Sequence, residues 1–214
     1  MRHLHHSNFI SSPGTKFESK TATLESIPAD ETPDLDKQAG ALRKDLDAAE
    51  LSAALKAELR ARIESVQKAG IEAKKRLLAK RVDKCLNSVK VEVEQAVSDG
   101  KTSLVLNLDI GADSKASQKV IKEVQKLAPK LAFMGVSEEE VGSGGKVLCF
   151  AIVPDALIGE TGLQANDWVK DVLESAGGSG GGKPGSAMGS CDRCDDIEAV
   201  IARAEGFVNK VAVA

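Results

Sequence analysis

Asp99-Gly100-Lys101-Thr102-Ser103-Leu104-Val105-Leu106-Asn107-Leu108 is the stretch where the chain changes its hydrophobic period, and the fold turns on it. Before it, apolar residues return every three or four positions, the spacing of one stripe on a helix. Within it, Leu104, Leu106 and Leu108 return every second position with Val105 between them, which predicts a largely buried strand.

Upstream, Leu35, Ala39, Leu42 and Leu46 form a first helical stripe. The pattern breaks near Ala49 to Ser52, where Ser52 is a suitable N-cap. A longer stripe then runs to about Ser98 through Leu55, Leu59, Ile63, Val66, Ala73, Leu77, Val82, Leu86 and Val89. Two helices joined by so short a break predict an antiparallel hairpin. Such a hairpin leaves part of its stripe bare, so it must pack on the rest of the chain or on a second copy, a homodimer. Residues 1–33 lack apolar periodicity and read as a disordered tail. The tail has Arg2 and Lys16 among Ser and His with no acid before Glu18, which leaves a mitochondrial leader as the alternative to a cytoplasmic chain. His3, His5 and His6 are read there as incidental.

Downstream, Ser114 to Ala128 is an amphipathic helix stopped by Pro129. Leu131 to Val136 and Lys146 to Val153 are strands joined by the turn Gly142-Ser143-Gly144-Gly145. Helices follow from Ala165 to Ser175 and from near Cys194, the latter marked by Ile197, Val200, Ile201, Ala204, Val208 and Val211. The reading is therefore α/β: a small β-α-β-β-α-α domain over 100–214, preceded by a long antiparallel helical hairpin over 34–99.

Charge adds a clue that the net value of −3 conceals. Residues 51–90 hold eleven Lys and Arg against four acids. Lys74, Lys75, Arg76, Lys80 and Arg81 are the centre of this run and candidate contacts for a polyanion. The alternative is a solvated helix face laced with ion pairs. Aromatic residues make up 3% of the chain, with Trp168 alone and no tyrosine, which argues against a stacking platform for single strands. No apolar run approaches the roughly 20 residues needed to cross a bilayer, so no membrane partner is expected.

The glycine-rich stretch Gly177-Gly178-Ser179-Gly180-Gly181-Gly182-Lys183-Pro184-Gly185-Ser186 is the second clue. Gly177-x-x-x-x-Gly182-Lys183 imitates a phosphate-binding loop, but Pro184 replaces the Ser or Thr that reaches magnesium, and a helix precedes it where that motif needs a strand. Gly180-x-Gly182-x-x-Gly185 imitates a dinucleotide fingerprint, again without the preceding strand. Two readings stay open: a flexible linker, or a nest of bare N–H groups with Lys183 and the start of the last helix, receiving a phosphate.

No catalytic constellation is visible, and no catalytic residue, metal or cofactor is assigned. Cys191-x-x-Cys194 offers two ligands where a structural zinc site needs four. Asp192, Asp195 and Asp196 oppose a thiolate there, so the pair is read as structural. Cys85, Cys149, Cys191 and Cys194 are too few and too scattered for a secreted disulfide scaffold, and the chain reads as intracellular.

The run Gly162-Leu163-Gln164-Ala165-Asn166-Asp167-Trp168-Val169, a helix, and the glycine stretch ending Lys183-Pro184 resemble the C-terminal domain of alanyl-tRNA synthetase. That domain belongs to the wider DHH-associated superfamily, and the resemblance covers about residues 35–214. It implies a non-catalytic domain that contacts the outer corner of alanine-specific tRNA, or another structured nucleic acid, and assists aminoacylation. On the motif, Gly177, Gly178, Gly180, Gly181, Gly182 and Lys183 would touch the RNA backbone. Some members dimerise, and some bind DNA instead. The chain departs from the family's pattern at Gly185, where Asp is frequent, and at Met188, where Gln is frequent.

Overall fold

Two units meet between Leu77 and Leu78, and the computed structural model describes residues 12–213. The first unit holds α1 (Pro13–Ser26), α2 (Leu35–Ala48) and the beginning of α3 (Ala53–Ser98). Residues 1–11, with Arg2 and the three histidines, lie outside the described residues.

Helix α1 stands inside the stretch that the sequence assigned to a tail. The Ser12 hydroxyl accepts the Thr15 N–H at 3.3 Å, and Pro13 occupies the first turn, where its missing N–H costs nothing. Thr21 and Leu24 turn inward with Phe17, and the Thr21 hydroxyl donates to the Phe17 carbonyl at 2.8 Å. The sequence carries this helix in its cap rather than in a stripe, since Leu24 is its one fully buried aliphatic.

Helices α2 and α3 form the expected antiparallel pair. Arg60 meets Asp47 at 2.7 Å and Lys74 meets Asp36 at 2.6 Å, so the partners diverge in number as the chains run opposite ways. Ser52 accepts the Leu55 N–H at 3.3 Å, the cap read from the sequence. Leu35, Ala39, Leu42 and Leu46 pack on Leu59, Ile63 and Val66, and Leu24 and Phe17 of α1 join them. The bare part of the hairpin stripe is thus met by α1.

The second unit contains a five-stranded sheet in the order β1-β2-β3-β5-β4. Its strands are β1 (Ser103–Asn107), β2 (Ala132–Glu138), β3 (Val147–Ile152), β4 (Ser179–Lys183) and β5 (Ser186–Cys191). Helix α4 (Ser114–Leu127) crosses from β1 to the parallel β2, and every other neighbour pair is antiparallel. The side chain of Asp113 caps α4 by accepting from the N–H groups of Lys115 and Ala116. Helices α5 (Asp155–Thr161), α6 (Ala165–Ser175) and α7 (Ile197–Val213) complete the unit.

Strand alternation divides the core in two. Met134, Val136, Cys149 and Ala151 face Trp168, Val172 and Leu173 of α6 with Val200 and Ala204 of α7. Phe133, Leu148 and Phe150 face Val89 and Val93 of α3 with Val120 and Val124 of α4. Gly135 makes room for a ring here: a Cβ at that position would lie 2.4 Å from Phe150 Cζ. Buried Trp168 donates its indole N–H to the Ala204 carbonyl at 2.9 Å, joining α6 to α7. The α/β class and the long helix ahead of the sheet are as expected. The order gains α5 and, more consequentially, a fourth and fifth strand built from the glycine stretch.

Candidate nucleic-acid interface

The glycine stretch is neither a linker nor a loop nest. It is a helix cap followed by an edge strand. Gly177 has φ +70°, a left-handed conformation that only glycine takes freely. Its N–H donates to the Glu174 carbonyl at 3.2 Å, and the Gly178 N–H donates to the Leu173 carbonyl at 2.8 Å. These two bonds are the Schellman closure of α6.

Gly180 and Gly189 then face each other across β4 and β5 on the side that meets α6. A Cβ on Gly180 would lie 2.6 Å from Val169 Cγ1, and one on Gly189 would lie 2.3 Å from the Gly180 Cα. A Cβ on Gly178 would sit 2.6 Å from that of Cys191. At Gly182, φ is +155° and a Cβ would lie 2.5 Å from the Ala187 Cα. Gly180 and Gly189 let the hairpin settle directly onto α6, Gly178 and Gly182 admit β5, and Gly177 ends the helix, so four of the five glycines proposed from the motif serve the fold.

Gly181 differs. A Cβ built there meets nothing within 4 Å. With the strand's alternation, Ser179, Gly181 and Lys183 of β4 pair with Ser190, Met188 and Ser186 of β5 on the opposite face. Ser179, Gly181, Lys183 and Ser186 are exposed, and only Met188 leans toward the core of α3 and α4. The result is a shallow strip lined by the hydroxyls of Ser179 and Ser186 with one cation, Lys183. β4 is also the sheet's border, so one side of its backbone has no strand partner.

The tip of this hairpin is tied down. The Pro184 carbonyl accepts the N–H of Ala165, the first residue of α6, at 2.7 Å. The Gly185 carbonyl accepts the Val153 N–H at 3.1 Å. The expected nest of Lys183 with the start of the last helix is not formed. Helix α7 begins at Ile197, and the Asp196 carboxylate already caps it by accepting the Ala199 N–H at 2.9 Å. Lys183 stands at the turn of the hairpin, and β5 runs roughly 17 Å from there before the chain leaves toward α7.

The basic run of α3 is mostly answered by acids. Lys74 pairs with Asp36, Lys75 with Glu72 at 2.8 Å, Arg76 with Asp30 at 2.8 Å and Arg81 with Asp109. Lys74 holds the Asp36 carboxyl below the usual range chiefly through its hydrogen bond. Lys80 is exposed and, like Lys183, has no ion-pair partner among the described residues. Lys74, Lys75 and Arg76 belong to the first unit, and Lys80, Arg81 and Lys183 to the second.

Cysteines Cys149, Cys191 and Cys194 are packed in the α6–α7 core. Burial pushes the Cys149 thiol up to about 12 and raises that of Cys191. Neither is poised as a nucleophile.

The DHHA1 domain profile matches residues 100–210, just over half the chain, a span that takes in all five strands of the sheet. Alanine–tRNA ligase, cytoplasmic, of Dictyostelium discoideum is 32% identical over 148 residues, covering 69% of this chain and 15% of the ligase. The enzymes of the same name from Caenorhabditis elegans and Drosophila melanogaster are 36% and 34% identical over 112 and 106 residues, covering 52% and 50% of this chain. The chain spans 11 to 15% of the length of these relatives. A solved structure, the C-Ala domain from Aquifex aeolicus alanyl-tRNA synthetase, aligns at 14% identity with a TM-score of 0.40 over 52% of this chain and 89% of that chain.

Proposed function

Starting from a chain that belongs to the DHHA1 domain family, we propose that its sheet unit is a binding module for alanine-specific tRNA. It serves aminoacylation by holding the tRNA body and performs no chemistry itself. Its place of action is the cytoplasm, where the names of its relatives put them. The contact surface is the uncovered face of the β4–β5 hairpin: the backbone at Gly181, the hydroxyls of Ser179 and Ser186, and the Lys183 ammonium. The observation that supports this reading is the open space at Gly181, between Gly180 and Gly182, whose own spaces are filled by α6 and β5.

Phosphate contacts of this kind position a nucleic acid without reading its sequence, so the tRNA is recognised by shape and backbone. The α3 residues contribute less than their number suggests, because Lys74, Lys75, Arg76 and Arg81 are each held by a carboxylate. Of the five α3 candidates, Lys80 is the one left to supplement Lys183 with long-range attraction.

Fluorescence-anisotropy titration of alanine tRNA at two salt concentrations tests the reading. Affinity should fall steeply with salt, and Lys183→Ala should lower the slope of log K against log salt by about one. Gly181→Val should weaken binding while leaving the circular dichroism intact. Absence of salt-sensitive binding at low ionic strength would sink the proposal, as would an unchanged Lys183→Ala. Preference for duplex DNA in competition would transfer the surface to a DNA-binding role outside the synthetase.

A further inference from the structure

Helix α4 carries a row of cations separate from both the glycine stretch and the α3 run. Lys115, Lys119, Lys122 and Lys126 recur at intervals of four, three and four residues. At 3.6 residues per turn they fall within an arc of about 60° and span about 17 Å of helix. Lys130 follows in the turn to β2. Buried Ala116, Val120 and Val124 occupy the other side of α4, against Phe133 and Phe150, so the row faces away from the core. All five lysines are exposed, and none has an ion-pair partner among the described residues. The one acid of the helix, Glu123, is held by Lys90 of α3 at 3.5 Å. Like charges three and four residues apart repel along a helix, so the row opposes the folding of α4.

The row leads to the hairpin strip within the second unit. Gln125, Ala128 and Pro129 line one recess together with Gly185 of the hairpin tip. Lys126 and Lys130 adjoin the first three in sequence, and Lys183 stands two residues before Gly185. Met188 packs toward the α4 side of the sheet, the side on which its pairing partner Gly181 lies open.

Resting on the tRNA reading above, we propose that the α4 row is a phosphate track, along which the RNA held at the β4–β5 strip continues. Lysine ammonium groups on flexible stems follow a phosphodiester backbone without reading bases. The row supplies the open positive charge that the α3 run, mostly answered by acids, does not. An anionic lipid surface fits less well. An interfacial helix needs an apolar face free for the membrane, and α4 has buried its own in the core.

Anisotropy titration of the full chain with alanine tRNA over a salt series tests the track. The triple variant Lys119→Gln, Lys122→Gln, Lys126→Gln should lower the slope of log K against log salt by about three. At low salt its dissociation constant should rise roughly tenfold or more. A variant of equal net charge, Lys16→Gln, Lys20→Gln, Lys44→Gln, should keep the wild-type slope. In a second measurement, bound tRNA should protect Lys119, Lys122 and Lys126 from acetylation by an N-hydroxysuccinimide ester, read by mass spectrometry on the wild-type chain. Salt-sensitive binding that the α4 triple variant leaves unchanged overturns the track alone and leaves the strip standing. Equal losses in the two triple variants, or no protection of the three lysines, also overturn it. A wild-type chain with no salt-sensitive binding overturns the tRNA reading itself, and the track with it.

Discussion

Gly189→Ala is expected to cost the sheet unit about 1–3 kcal/mol, the usual range for overpacking. The magnitude follows from three contacts. A Cβ at 189 would lie 2.3 Å from the Gly180 Cα, 2.5 Å from Leu173 Cδ1 and 2.5 Å from the Ser179 carbonyl oxygen. Carbon atoms prefer about 3.5–4.0 Å. Leu173 Cδ1 can rotate away at modest cost, but the other two are backbone. Relief therefore needs β4 to move off by about an ångström, which also opens its contact with α6. Gly181→Ala is the control, since nothing stands within 4 Å there, and it should change stability by less than about 0.5 kcal/mol. Urea denaturation followed by the fluorescence of Trp168, buried between α6 and α7, measures both. At roughly 2–4 °C per kcal/mol for a chain of this size, the thermal midpoints should separate visibly. Equal stability of the two variants would refute the claim that the glycines exist to seat the hairpin on α6.

Other expectations follow from the same packing. Trp168→Phe loses the bond to the Ala204 carbonyl along with ring area, and should cost about 1–3 kcal/mol by urea denaturation read from circular dichroism. Cys149, fully buried with a thiol pushed up to about 12, should react with maleimide only at the rate of unfolding; labelling as fast as in urea would contradict its placement. The Arg203 guanidinium, through two hydrogen bonds of 2.6 and 2.7 Å, holds the Asp171 carboxyl below its ordinary value. A carboxyl lowered by folding contributes stability above its unfolded pKa and loses it as pH falls through the folded one. Asp171→Asn should therefore be destabilising near neutrality, and the deficit should shrink as pH drops below about 4. A deficit that stayed constant with pH would assign the effect to packing instead of charge.

What could be read from the sequence follows side-chain periodicity. The α2–α3 break was legible because Ser52 interrupts two stripes, and β1 because Leu104, Leu106 and Leu108 alternate. Strand β4 was hidden, because Ser179-Gly180-Gly181-Gly182-Lys183 has almost no side chains to alternate and glycine is depleted in strands. Its register comes from β5 and α6, which pull it in through contacts that only a bare backbone permits. The two-residue break Pro184-Gly185 between Lys183 and Ser186 was the available signal of a hairpin. Helix α1 escaped for a different reason: Ser12 and Pro13 mark its start, but Thr21 fills an inward position where a stripe would put an aliphatic residue. Which α3 cations are answered was not legible, since Asp30, Asp36 and Asp109 lie far from them in sequence.

The closure of α6 at both ends by one segment has a kinetic consequence. Gly177 and Gly178 finish its last turn, and the Pro184 carbonyl completes its first. The hairpin cannot peel away without unwinding the helix that Trp168 anchors, so amides of β4 should exchange with solvent together with those of α6 and not by independent fraying. The contact face proposed above, locked in this manner, would surrender little freedom on binding. Its association should proceed in a single bimolecular phase whose rate scales with concentration, with no slow rearrangement behind it.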